Sequence, residues 1–155
     1  MVRVVGGVTE LLLVHPGGPL WAKKDLGAWS IPKGEYAPGD DPQEAARREF
    51  AEELGVECPA EQLIDLGEIV QAGGKRVVAW CGLGAIDTSR IVSNTFEMDW
   101  PPRSGRRQSF PEIDRAEYFS AELAAEKILA GQRPFVDRAL RALSDAGLLP
   151  GEPIG

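Results

Sequence analysis

The stretch RREFAEELG, Arg47 to Gly55, sets two arginines and three glutamates within nine positions. On a helix turning about 100° per residue, Glu49, Glu52 and Glu53 fall on one stripe, because their spacings are i, i+3 and i+4. Ala46, Phe50 and Leu54 form a neighbouring apolar stripe able to anchor that helix to a core. Like charges so spaced repel by roughly 0.2–0.5 kcal/mol on an exposed helix, and by more where the dielectric falls. Arg48 lies four residues from both Glu44 and Glu52 and can pair along the helix, which leaves Glu49 and Glu53 without an obvious cation. A divalent ion satisfies such a set, since Mg²⁺ takes hard oxygen ligands and is commonly held by one or two carboxylates with water and substrate phosphates. Taken alone, such a Glu-rich helix edge is usually a solvated face.

The elements around it are well marked. Asp41 suits an N-cap, Pro42 the first helical turn, Glu44 a capping-box carboxylate, and Gly55 the residue just past the helix end. Upstream, VRVV and ELLLVH read as short strands about the Gly6-Gly7 turn, followed by the loop PGGPLWAKKDLG, the strand AWSIP and the loop KGEYAPGDDP. Downstream, LIDLGEIVQAG and KRVVAWCGLGAI read as strands joined at Gly73-Gly74, with TFEMDW as a third. The segment PPRSGRRQSFPEIDR reads as loop, AEYFS as a strand, AELAAEKILAG as a helix and PFVDRALRALSDAG as an amphipathic closing helix. Strands in this order with few helices predict an α/β or α+β fold on a mixed sheet, one domain over residues 1–147 and a loose tail over 148–155.

Extended to the loop before the helix, GEYAPGDDPQEAARREFAEELGV, Gly34 to Val56, closely resembles the Nudix box, G-x5-E-x7-R-E-U-x-E-E-x-G-U with U apolar. Gly34, Arg48, Glu49, Phe50, Glu52, Glu53, Gly55 and Val56 match in register. Asp40 stands where the family has Glu, which keeps the charge, shortens the arm and puts a local brace of the loop in question. The order of elements along the wider chain also resembles a Nudix domain, which implies an α/β/α sandwich with a mixed central sheet.

The resemblance implies roles that spacing does not supply. Glu52 and Glu53 would bind the metal, with Glu49 as a further ligand or the group that activates water, and the Gly34 carbonyl would complete the site. Arg48 would orient the glutamates through salt bridges. A later carboxylate often joins, and in FPEIDRAEYF that is Glu112, with Glu97 as second choice. The implied reaction is Mg²⁺-dependent hydrolysis of a diphosphate linkage, with Mn²⁺ as a substitute, in a nucleoside triphosphate or another nucleoside diphosphate derivative, dinucleoside polyphosphates included. A nucleotide-binding regulator on the same fold is the alternative, distinguished by loss of box glutamates, all of which are kept here; a plain divalent-cation buffer lacks the EF-hand loop it would need.

For the rest of the substrate the residues offer candidates. Lys33, Arg106 and Arg107, with Lys23, Lys24 and Arg103, can meet phosphate, and Trp21 can stack on a base. His15, the only histidine, ends an apolar strand and reads mainly as structural. Composition limits the partners: 24 acidic against 17 basic residues give a net charge of −7, which argues against binding a nucleic-acid polymer through counterion release. Two isolated cysteines, Cys58 and Cys81, make no disulfide framework, and the start MVRVVGGVTELLLVH is too interrupted for a signal peptide or membrane span. The expectation is a cytoplasmic monomer or homodimer acting on a small anionic nucleotide through a metal.

Overall fold

The structure, a computed structural model, describes residues 1–32 and 38–149. Strands β1 (Val2–Val5) and β2 (Val8–Pro16) form a hairpin about Gly6-Gly7, and β7 (Ile113–Ser120) pairs with the other edge of β2, so the central sheet runs β1-β2-β7, antiparallel throughout. Two further hairpins flank it: β3 (Ile64–Val70) with β4 (Arg76–Cys81), and β5 (Thr95–Asp99) with β6 (Arg107–Pro111). The mixed character expected of the sheet is confined to isolated bridges, notably the parallel pair Val2 and Leu83, which ties β1 to the chain leaving β4.

Strand alternation divides the core into two layers. Leu11 and Leu13 on β2 point into one cluster with Trp29, Phe119, Ile128, Phe135 and Leu143, under the helices α2 (Ala121–Lys127) and α3 (Pro134–Asp145). Leu12 and Val14 point the other way, into a cluster with Phe50, Leu54, Ile113 and Ala116, under the helix α1 (Pro42–Leu54). Helices on both faces of the sheet make the expected α/β/α arrangement, and the period-2 alternation of β2 is what places them there.

Two sequence expectations need correction. The segment AWSIP is not a strand; Ser30 and Trp29 make single bridges, to Val14 and Ile128, because the chain here runs along the end of α2 while the Trp29 side chain fills the core at 1% exposure. The loop expected over PPRSGRRQSFPEIDR shrinks to a turn, since residues 107–111 pair with β5 as β6; RQSFP is polar and almost wholly exposed, so no alternation marks it. Toward the C-terminus the Leu148 amide donates to the Leu143 carbonyl at 2.9 Å, and Leu148 and Leu149 pack against the main core. Residues 150–155 lie outside the described residues.

Candidate functional site

Helix α1 begins and ends as its sequence dictates. The Asp41 side chain accepts from the amides of Gln43 (2.9 Å) and Glu44 (3.2 Å), and Gly55 closes the helix in the left-handed region at φ 71°, its amide donating to Ala51. Glycine is required there twice over, because a Cβ would also stand 2.6 Å from the Val92 carbonyl oxygen. The Val92 amide in turn donates to Leu54 O at 2.9 Å, so the chain before β5 caps the helix and is held against it. Ala45, Phe50 and Leu54 are the buried residues; the apolar stripe therefore starts at Ala45 rather than Ala46.

That burial fixes the helix rotation and turns the carboxylates away from the core. Glu49 is the most enclosed of the pairs around Arg48, with its side chain 23% exposed against 56% for Glu52. Arg48 links three acids: Asp40 at 3.6 Å, Glu49 at 3.8 Å and Glu52 at 4.0 Å. The expected Arg48–Glu44 pairing is replaced by Arg48–Asp40, so the shorter acid at position 40 still reaches the arginine. Distances of this length are ion pairs without tight hydrogen bonds, so Arg48 does not saturate the lone pairs of Glu49 or Glu52. Arg47 points elsewhere, donating to the carbonyls of Ala60 (2.7 Å) and Glu61 (3.2 Å), and so fixes the helix to the following loop.

Among the described residues, no three His, Cys, Asp or Glu side chains stand close enough together to hold a metal ion. The stripe offers hard oxygen donors in a row along one helix. The donor set still fits a hard divalent ion of the kind held by one or two carboxylates and completed by water and phosphate. Gly34 and Lys33, the expected carbonyl ligand and phosphate contact, lie outside the described residues.

Two cavities border this region. The larger, about 680 Å³, is mostly apolar and has Glu49 in its wall beside Pro32, Pro42 and Ala46. The smaller, about 290 Å³, is lined by Trp21, Phe96, Met98 and Glu112 together with Gly17 and Gly18. Glu112 and Trp21, expected at the metal and at the base respectively, are thus brought into one cleft, while Glu49 lines the other. Glu112 nonetheless precedes Ile113, which packs in the same cluster as Phe50 and Leu54.

The basic candidates separate. Arg107 lies on β6 within 3.8 Å of Glu97 and 3.9 Å of Asp99, on the face of the hairpin opposite Phe96 and Met98, which places both Arg107 and Glu97 away from the aromatic cleft. Arg106 is exposed in the β5–β6 turn, its amide donating to Ser104 Oγ. His15 is fully buried: Nε2 donates to the Lys24 carbonyl at 2.7 Å, Nδ1 is 2.8 Å from the Asp114 carboxylate, and the ring meets Trp29 edge-on, so its role is structural. It clips the Trp21-Lys24 loop to β7, a tie that sequence separation concealed.

A family model, NUDIX domain, matches residues 1–139. The chain belongs to the Nudix family. An RNA pyrophosphohydrolase of Erythrobacter litoralis is 49% identical over 47 residues, 30% of this chain and only 25% of that protein. Two solved structures share the fold: a C. elegans Ap4A hydrolase binary complex (TM-score 0.58, 22% identity, 94% of each chain) and the Nudix domain of Shewanella oneidensis NrtR complexed with ADP ribose (TM-score 0.57, 15% identity, 92% of this chain and 82% of that one).

Proposed function

We propose that this chain is a divalent-metal-dependent pyrophosphohydrolase that cleaves a phosphoric anhydride in a nucleoside triphosphate or dinucleoside polyphosphate. The observation that carries the reading is α1 itself: a buried Ala45-Phe50-Leu54 stripe holds Glu49, Glu52 and Glu53 outward, and Arg48 braces Glu49 and Glu52 without saturating them.

Glu52 and Glu53 would hold Mg²⁺ or Mn²⁺, with Glu49 and the Gly34 carbonyl as further ligands. When bound, the ion supplies charge neutralisation for the phosphates and a more acidic water. The chain's own contribution is position. Arg48 keeps two carboxylates apart and correctly turned, and its other pair, to Asp40, ties the end of the preceding loop to the helix. A box glutamate accepts the proton of the attacking water, a task suited to a carboxylate beside a cation. The metal also resolves the charge problem of a −7 chain meeting a polyanion.

The similarity to an RNA pyrophosphohydrolase adds an RNA substrate as a second reading, against which the acidic net charge weighs. A product-resolved assay of nucleoside triphosphates, dinucleoside polyphosphates, ADP-ribose and triphosphorylated RNA, each with Mg²⁺ and Mn²⁺, fixes substrate and cleavage position together. Nucleotide binding without any product would reverse the proposal in favour of a non-catalytic module.

A further inference from the structure

Gln132 is a buried polar side chain with no part in the acidic helix. It ends the short 3₁₀ turn Ala130–Gln132 between α2 and α3 and is 0% exposed. Its Oε1 accepts from the Ile31 amide at 3.1 Å, across 101 positions of sequence. That amide can only donate, so the side-chain oxygen must face Ile31 and Nε2 must turn away. Nε2 has no hydrogen-bond partner among the described residues.

The contact completes a series that holds this part of the chain residue by residue. The Trp29 amide donates to the Lys127 carbonyl at 3.0 Å, and the Trp29 carbonyl accepts from the Leu129 amide at 2.7 Å. Ser30 exchanges both backbone hydrogen bonds with Val14, at 2.8 and 2.9 Å. Ile31 is the next link, and its amide is held by a side chain. Pro32 has no amide hydrogen. Among the described residues, Gln132 therefore makes the last amide hydrogen bond before the box, whose first residue, Gly34, follows Ile31 by three positions in the sequence. Ile31 and Pro32 also share the wall of the larger cavity with Glu49.

Stability does not account for a glutamine here. A buried amide with an unmet donor is unfavourable, and an apolar side chain of the same length would remove that penalty while creating a similar one at the Ile31 N–H. The two changes oppose each other, and what glutamine adds is the placement of Ile31.

We infer that Gln132 is a positioning residue for hydrolysis: through the Ile31 amide it fixes the Ile31-Pro32 wall beside Glu49. The inference rests on the hydrolase reading of the preceding section.

Gln132→Met keeps the length of the side chain and removes the acceptor and the unmet donor together. Its melting temperature should stay within about 3 °C of wild type. In residue-resolved hydrogen exchange of the whole chain without ligand, the Ile31 amide should exchange about fivefold faster or more, the scale of one lost hydrogen bond, with the Trp29 and Ser30 amides unchanged. With Mg²⁺ and a nucleoside triphosphate or dinucleoside polyphosphate, whichever wild type cleaves faster, kcat should fall about tenfold or more at nearly constant KM. Gln132→Glu, which keeps an acceptor for Ile31, should recover the protection of that amide and most of kcat. Unchanged Ile31 exchange or unchanged kcat in Gln132→Met would each overturn the inference, and failure of that variant to fold would do so by making the residue structural. If Ile31 is released as stated but wild type cleaves no anhydride, the hydrolase reading fails and the tie between Gln132 and Ile31 stands. If wild type cleaves and Gln132→Met matches it, the inference alone fails.

Discussion

The acidic face of α1 and the aromatic cleft were built in opposite ways. The first is a contiguous design: cap, apolar stripe, carboxylates, arginine and terminal glycine all lie between Asp41 and Gly55, and the helix period alone arranges them. The second draws on residues 17–21, 96–98 and 112, which meet only where the loop after β2 lies against the start of β7 and the separate β5–β6 hairpin. The lesson is a division of labour. Local geometry fixes the row of carboxylates on α1, and tertiary assembly shapes the aromatic cleft.

That contrast predicts a hierarchy of effects. Glu52→Gln or Glu53→Gln should lower hydrolysis of every substrate by about a hundredfold or more, the several kcal/mol expected of metal-assisted charge stabilisation. Both substitutions are isosteric and outside the buried stripe, so melting temperature should move by no more than about 2 °C. A loss confined to one nucleotide would place the acidic face in selection instead. Arg48→Ala should cost roughly 10–100-fold across substrates, as loss of a positioning partner does, and Arg48→Lys should recover only part of it, because a single ammonium cannot span Asp40, Glu49 and Glu52. Full activity in Arg48→Ala would show that the carboxylates need no brace.

Gly55→Ala tests the joint between α1 and the chain before β5. It forces φ 71° on a Cβ residue against the Val92 backbone and should destabilise by about 1–3 kcal/mol, read by denaturant unfolding. The smallest effect concerns Asp25, which anchors the Trp21 loop to α2. Hydrogen bonds from Lys127 and then from the Trp29 indole hold its carboxyl below its ordinary value of 3.8. A depressed carboxyl contributes stability that is complete above 3.8 and is lost as pH falls through the lower folded-state value. Melting curves of wild type and Asp25→Asn should therefore converge in acid, once pH has fallen through the lowered value, and separate slightly near neutrality; a constant offset at all pH values would exclude the ionic contribution.

Legibility in the sequence followed the same division. The helix bounds, both caps, the buried Phe50 and Leu54 and the outward glutamates were readable because each depends on neighbours within four residues. The polar strand β6 was not, since RQSFP becomes a strand only by pairing with β5. Nor was the His15 clip, whose partners lie 9 and 99 residues away. Trp21 and Glu112 were singled out separately, for stacking and for metal; nothing in their spacing of 91 positions indicated a shared cleft. Arg107, attractive as a phosphate contact by charge alone, is held by Glu97 and Asp99 on its own hairpin.

On the proposed function, the α1 carboxylates run a metal-dependent anhydride hydrolysis. The most direct measurement compares wild type with Glu53→Gln in one assay of phosphate and diphosphate release from nucleoside triphosphates and dinucleoside polyphosphates, with Mg²⁺ and with chelator. Product is expected only for wild type with the metal. Equal turnover in the variant, or turnover that persists in chelator, would contradict it.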